Sequence, residues 1–216
     1  MTRNRWTGLA GLLFGLAFLS ISIFGPSTPD SSGTDAATKF ASYWNDNGHQ
    51  NKARIGILLV SYAVVLLLAF SAGLRDRLRT VDTGPLPSFC LAAGTAAASL
   101  LAASAASSFC VGLTAADNSS FKVDGSLAIA LDQAGYALFA TGLMAAGAMA
   151  VSTGIVTLRT RVLPVWTAWV GFLLGLGVVG SLFTAWTGFI LLPIWSICVG
   201  VVLLLRPVDV PAAPAT

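Results

Sequence analysis

The chain has 216 residues, of which 56% are hydrophobic and 10% are charged. A soluble domain carries about 25% charged residues, so a soluble protein with several buried helices is disfavoured. The net charge of +3 comes from basic residues scattered among short segments, which argues against a nucleic-acid partner. The sequence has three cysteines, Cys90, Cys110 and Cys198, and one histidine, His49. The odd number of cysteines argues against a disulfide framework, and none of these residues has metal-ligand spacing. Neither a metal nor another cofactor is therefore expected.

Long apolar stretches, each ended by charge, proline or a polar segment, occupy most of the chain. Each is close to or above the ~20 residues that cross a bilayer as a helix. The stretches are Trp6–Phe24, Ile55–Leu74, Phe89–Leu113, Leu127–Leu158, Val165–Ser181 and Phe189–Leu205. They predict an all-α fold, a polytopic bundle of six transmembrane helices forming one domain over residues 1–206. The Pro- and Ala-rich tail, residues 207–216, is expected to be disordered.

The first stretch could also be a secretory signal, because arginines precede it. Its apolar run exceeds the usual ~7–15 residues of a signal peptide, and no A-x-A cleavage site follows it. A retained helix is therefore favoured, and cleavage would leave five spans with the new N-terminus outside.

Basic residues divide unevenly between the two sides of a six-span arrangement. One side would hold Arg3, Arg5, Arg75, Arg77, Arg79, Arg159, Arg161 and Arg206. The other would hold only Lys39, Lys52, Arg54 and Lys122. Cytoplasmic loops are enriched in Lys and Arg, so the bias predicts that both termini are cytoplasmic.

The longest polar segment, residues 25–53, follows the first span and is predicted to be extracytoplasmic. Thr34 or Asp35 could cap a short helix that runs to about Asn47, with Gly48 as its stop. In that helix the aromatic side chains share one stripe at spacing i, i+3 and i+4. They are Phe40, Tyr43 and Trp44. The stripe favours an amphipathic helix at the outer membrane interface, with a lid over an outward-facing pocket or a disordered loop as alternatives.

The third span is rich in small residues, because Ala92 to Ser108 is nearly all Ala, Ser, Gly and Thr. Such residues allow close helix packing, and serines such as Ser104 can hydrogen-bond neighbouring helices. We expect a central packing helix that faces protein instead of lipid. Lining of a polar cavity is the functional alternative.

The fourth span contains the one acid inside an apolar stretch, Asp132, beside Gln133 and Tyr136. Asp132 lies 27 residues before Arg159, or roughly 40 Å of helix, which exceeds the hydrocarbon thickness. An acid near the outer interface is therefore favoured. The second interpretation is that Asp132 binds an ion or a substrate, and the third is that it relays protons at the midplane of the membrane. The candidate ligand-binding residues are Asp132, Gln133, Tyr136 and Ser104.

Tryptophan and spaced glycines recur in the first and fifth spans. The patterns are Trp6…Gly8…Gly11…Gly15 and Trp169-x-Gly171-x-x-x-Gly175. With the Ala/Gly/Leu-rich spans, they give a chain that resembles the uncharacterised small multi-pass membrane proteins of actinobacteria. The resemblance implies a bacterial plasma-membrane location and carries no known active site.

The sequence shows no catalytic constellation, so an enzyme is not expected. Asp46 and His49, at i and i+3, could bind a metal or move a proton, but a hydrolase would also need an activated nucleophile. The favoured function is a non-catalytic scaffold or accessory subunit. It would bind protein, lipid or an apolar ligand within the membrane, with lipids and a membrane protein or a second copy as partners. The alternative is a transporter or channel for a neutral or apolar solute, lined by the third span, Gln133 and Tyr136.

Overall fold

A computed structural model describes residues 3–180 and 185–205, and the regular structure in these ranges is entirely α-helical. The helices are α1 (Arg3–Phe24), α2 (Ala36–Trp44), α3 (Asn47–Arg79), α4 (Leu86–Asp117), α5 (Gly125–Thr160), α6 (Val165–Gly180) and α7 (Ala185–Leu205). Ser181 and the predicted tail at 207–216 lie outside the described residues.

Five of these helices, α1, α3, α4, α5 and α7, are long and apolar enough to cross a membrane. Helix α6 is apolar but has 16 described residues, about 24 Å at 1.5 Å rise per residue, which is shorter than the ~30 Å hydrocarbon core. The fold is therefore a helical bundle with the character of a membrane-spanning protein. Five of the six predicted spans thus have the length and apolar character that a crossing requires, and the number of crossings stays a prediction.

The long helices form a closed arrangement in which neighbours in sequence also pack side by side. Helices α3, α4, α5, α6 and α7 follow one another, and α1 closes the ring by contacting both α3 and α7. Helix α5 also contacts α7 across the bundle, which makes α5 the most enclosed long helix. We call the end that holds α2 the α2 end, and the end that holds Arg77 and Arg159 the arginine end.

Large buried side chains from several helices fill the bundle interior. The core includes Phe14, Leu67, Phe70, Leu143, Met149 and Trp195. Glycines let α1 and α7 approach until their backbones touch: a Cβ on Gly8 would lie 2.7 Å from the Gly200 carbonyl oxygen. The glycine at this position therefore permits close packing of α1 on α7.

Helix α4 has its most extensive interface with α5, as expected for a packing helix. Its buried face is made of small residues, including Ala93, Ala97 and Ala105. The opposite face is exposed along its length, for example at Ala96 and Ala103. The packing role is thus met on one face of the helix, and a ring arrangement leaves its other face uncovered by this chain. Whether that face meets protein instead of lipid stays a prediction.

The short helix and its neighbour differ from the predicted boundaries. Helix α2 ends at Trp44, and Asp46 then caps α3 by accepting hydrogen bonds from the backbone N–H groups of Gly48 and His49 at 2.8 and 3.2 Å. Gly48 thus lies in the first turn of α3 and is not a helix stop. An aspartate at an N-cap satisfies free backbone donors and starts a helix, a role that the sequence analysis did not assign to Asp46.

Candidate functional site: a cleft at the α2 end

A cleft of about 250 Å³ lies among α1, α3, α4, α5 and α7, closed on one side by the segment that follows α1. We call it the Asp132 cleft. Its lining residues are Phe18, Ile21, Pro26, Thr28, Val60, Leu101, Ser104, Ala105, Ser108, Phe109, Asp132, Gly135, Tyr136, Phe139 and Phe189. Most of this lining is apolar, and a few polar side chains interrupt it. This composition is typical of sites that bind small molecules.

Three phenylalanine rings from three helices form one side of the cleft. The rings of Phe18 and Phe139 are stacked, with centroids 6.3 Å apart. Phe189 lies 5.1 Å from Phe18 and 5.9 Å from Phe139, measured between ring centroids. The aromatic cluster joins α1, α5 and α7 and gives the cleft a rigid apolar wall.

Asp132 is the charged residue of the described lining, and it is half-buried. The hydroxyl of Thr28 donates a hydrogen bond of 3.4 Å to its carboxylate. No Lys, Arg or His among the described residues forms an ion pair with Asp132. The carboxylate is therefore held in the cleft wall by one long hydrogen bond, without a cationic partner from the described chain.

Serines of α4 bind the backbone of α5 beside the cleft. Ser104 donates to the carbonyl of Gly135 at 2.7 Å, and Ser107 donates to the carbonyl of Leu131 at 2.8 Å. Gly135 allows this approach, because a Cβ there would lie 2.0 Å from the Ser108 hydroxyl oxygen. The Ser104 proton is thus engaged in helix packing, whereas its oxygen can still accept a hydrogen bond.

The structure brings three of the four predicted ligand-binding residues together. Asp132, Tyr136 and Ser104 line the Asp132 cleft, and Tyr136 is 46% exposed at its edge. Gln133 points elsewhere: its amide donates to the Ser31 hydroxyl at 2.9 Å and ties the segment after α1 to α5. Whether these residues bind a ligand stays a prediction.

Sequence reasoning missed Thr28 and the three phenylalanines of the cleft. Thr28 lies 104 positions from Asp132 in the chain, so no local spacing relates them. The phenylalanines occur in apolar segments where such residues are common, and only their convergence marks them. A weak signal was available in Pro26 and Pro29, which end the first helix and begin the segment that carries Thr28.

The aromatic stripe of α2 contacts protein. Phe40 and Trp44 are 0% and 1% exposed, and they form a second hydrophobic cluster with Ala53, Val111 and Ala128. The predicted amphipathic character of this helix is present, but its apolar face packs on α3, α4 and α5. A pattern of this kind is equally suited to lipid and to a protein surface, which is why the sequence alone did not distinguish them.

Tyr43 and His49 form a stacked pair at the corner between α2 and α3. Their ring centroids are 3.8 Å apart, and His49 Nδ1 lies 3.2 Å from the Tyr43 carbonyl oxygen. Burial raises the pKa of Tyr43; Ser27 opposes this shift, and the negative charges of Asp132 and Asp46 add to it. The charge of Asp132 in the cleft therefore influences the ionisation of Tyr43 at the corner between α2 and α3.

The predicted Asp46–His49 pair is close, with His49 Nδ1 3.6 Å from an Asp46 carboxylate oxygen. Asp46 also caps α3, so its carboxylate has a structural role. Within residues 3–180 and 185–205, no group of three His, Cys, Asp or Glu side chains could hold a metal ion. A metal or proton-transfer role for the pair stays a prediction.

Comparison with protein-family models, curated proteins and solved structures finds no match to this chain. The resemblance to actinobacterial multi-pass proteins therefore stays a prediction. The function has to be inferred from the chemistry of the Asp132 cleft and its surroundings.

Proposed function

We propose that this protein is a non-catalytic membrane module that binds a small apolar ligand in the Asp132 cleft. The observation that carries the proposal is the cleft itself, about 250 Å³ of mostly apolar and aromatic lining with a few polar groups. An apolar protein cavity of about 150 Å³ is large enough for benzene, so this volume suits a ligand of one ring with a short chain. The apolar walls would supply most of the binding free energy, and the polar groups would orient the ligand.

The proposed setting is a bacterial plasma membrane with both termini in the cytoplasm. Support comes from the arginine end, where α3 finishes with Arg77 and Arg79 and α5 finishes with Arg159. Lys and Arg concentrate on the cytoplasmic side of membrane proteins. In this orientation the Asp132 cleft faces the extracytoplasmic side.

Transport of a neutral or apolar solute is the second function that the sequence predicted. It would require a path from the cleft to the arginine end. In the described part of the chain, that direction is filled by buried core residues such as Leu143, Met149 and Trp195. The packing therefore favours binding over passage, and a scaffold role through the exposed helix faces is compatible with it.

Filling the cleft tests the proposal. Ala105 lines the cleft and is 5% exposed, whereas its neighbour Ala106 faces outward on the same helix. We expect Ala105→Leu to weaken binding of 4-phenylbutanol about tenfold, because the added side chain occupies ligand volume. The matched Ala106→Leu variant is expected to bind within about twofold of the native chain. Isothermal titration calorimetry in detergent micelles, with empty micelles as the blank, measures both constants.

The proposal fails if the native chain binds no more 4-phenylbutanol than empty micelles do. It also fails if both leucine variants bind the alcohol as the native chain does, because the bound probe would then lie elsewhere. Thermal unfolding of each variant verifies that it is folded before the titration.

A further inference from the structure

We propose that the ligand of the Asp132 cleft is a small amphiphilic amine, an apolar body with a protonated primary or secondary amino group that binds the Asp132 carboxylate. This inference rests on the proposed function and specifies the class of ligand. It depends on the position of the carboxylate in the cleft wall and on the surrounding lining.

Asp132 lacks a charge partner within the described chain. Its one hydrogen bond, from Thr28, is 3.4 Å long, and no basic side chain belongs to the described cleft lining. A half-buried carboxylate surrounded by apolar side chains is poorly solvated and is stabilised strongly by a cation that binds it.

The neighbouring groups suit an ammonium ion. A primary ammonium has three N–H donors. Asp132 can accept one of them, and the Ser104 oxygen can accept another because the Ser104 proton is already donated to Gly135. The phenylalanine rings of the lining, including Phe109 and Phe139, are compatible with an organic cation through cation–π attraction.

Other cationic occupants fit the lining less well. A divalent metal needs several oxygen ligands, often more than one carboxylate, whereas Asp132 is the one acid of the described lining. A phosphatidylethanolamine headgroup would bring a phosphate close to Asp132, and the described lining has no Lys, Arg or His to neutralise it. An amine without an adjacent phosphate is the ligand that this arrangement favours.

The test compares probes that share one apolar body and differ in charge. They are 4-phenylbutylamine, 4-phenylbutanol and 4-phenylbutanoate, titrated by calorimetry into the full chain in neutral detergent micelles near pH 7. We expect the amine to bind about tenfold or more tightly than the alcohol, because hydrogen bonds to a charged group are stronger than neutral ones. The carboxylate is expected to bind more weakly than the alcohol.

Two variants separate the role of Asp132 from a general effect of charge. Asp132→Asn keeps the shape of the side chain but removes its charge, so we expect its preference for the amine over the alcohol to fall to no more than about threefold. Asp35→Asn removes an acid that is exposed on α2 and paired with Lys39 at 2.9 Å. That control is expected to keep the full preference for the amine.

Each outcome decides between the proposals. If the alcohol binds and responds to Ala105→Leu but the amine binds no more tightly, the amine proposal is wrong and the proposed function stands. Retention of the full amine preference in Asp132→Asn also overturns the amine proposal. Displacement of the bound amine by excess phosphatidylethanolamine in the micelles would assign the cleft to a lipid headgroup instead. If none of the three probes binds the native chain, both proposals fail together.

Discussion

At the scale of single residues, the α2 end is organised by a stacked aromatic pair and by two aspartates that cap long helices. Tyr43 stacks on His49 while its phenol lies near Ser27. Asp46 and Asp124 cap α3 and α5 through backbone N–H groups, each contact stabilising its helix by about 1 kcal/mol. These contacts determine where the long helices begin, and therefore how far the polar segments extend from the bundle.

The raised pKa of Tyr43 predicts that, as the pH is raised, one tyrosine ionises at a higher pH than an ordinary tyrosine does. We call this step the late phase of the tyrosine titration. Native Tyr43 keeps its proton at pH values where a tyrosine of the unfolded chain, with a pKa of about 10, has begun to ionise. Because the unfolded state releases its proton first, the stability of the fold declines as the pH rises above ~10 and levels off once native Tyr43 ionises. Ultraviolet absorbance of tyrosinate measures the first effect, and thermal unfolding at several pH values measures the second.

Variants assign that late phase. Tyr43→Phe should remove it, whereas Tyr62→Phe, which changes a tyrosine that is 67% exposed on α3, should leave it in place. A late phase that persists in Tyr43→Phe would show that burial of Tyr43 is not its cause.

At the scale of elements, the decisive contact is the docking of α2 on the start of α5. The two helices approach through their backbones, because a Cβ on Gly125 would lie 1.8 Å from the carbonyl oxygen of Ala37. Phe40 and Trp44 are fully buried by this docking. The segment that carries Thr28 and Ser31 is held to the same helix by hydrogen bonds to Asp132 and Gln133. The segment that forms one wall of the Asp132 cleft is thus attached to the same helix on which α2 docks.

A methyl group at Gly125 should loosen α2. We expect Gly125→Ala to lower the free energy of unfolding by about 1–3 kcal/mol, because a backbone carbonyl cannot rotate away as a flexible side chain can. Hydrogen–deuterium exchange should show faster exchange in residues 36–44, while exchange in α7 changes little.

Gly147 provides the matched control in the same helix. A Cβ there would lie 3.4 Å from Val178, an ordinary van der Waals contact. Gly147→Ala should therefore stabilise the chain by about 0.5–1 kcal/mol, since alanine loses less backbone entropy in a helix. Unchanged exchange in α2 of the Gly125→Ala variant would contradict the close approach.

At the scale of the whole molecule, the lengths of the helices and the positions of the arginines determine how the bundle fits a bilayer. Helices α3 and α5 have 33 and 36 residues, about 50 and 54 Å, so both extend beyond a hydrocarbon core of ~30 Å. In the proposed orientation, the arginines at the ends of these helices would hold the arginine end at the cytoplasmic interface. The excess length is therefore expected at the α2 end, where polar segments and α2 cover the bundle.

Cysteine labelling tests the proposed orientation. In a background with Cys90, Cys110 and Cys198 replaced by Ala, Ser119→Cys lies between α4 and α5, and Thr83→Cys lies between α3 and α4. Both positions are exposed. We expect a membrane-impermeant maleimide to label Ser119→Cys in intact cells and Thr83→Cys only after the cells are opened. Labelling of both positions from the same side would overturn the arrangement, and the reverse pattern would invert it.

Much of this architecture follows from the sequence alone. Apolar stretches of bilayer length identified the positions of α1, α3, α4, α5 and α7, because the hydrocarbon thickness sets the length of a spanning helix. An acid within an apolar stretch is conspicuous, so Asp132 could be selected as a candidate together with Tyr136 and Ser104. The spaced glycines of the first span were also visible in the sequence, and Gly8 packs closely against Gly200.

Tertiary structure alone decided which of these residues meet. The cleft joins Thr28 to Asp132 across 104 positions and gathers phenylalanines from α1, α5 and α7, and no local pattern encodes such a convergence. The sequence also did not decide whether the aromatic stripe of α2 faces lipid or protein. Phe40 and Trp44 leave water equally well in lipid and against α5. Periodicity and length are properties of one segment, whereas a cleft is the space left between several, and its shape depends on how closely their backbones can approach.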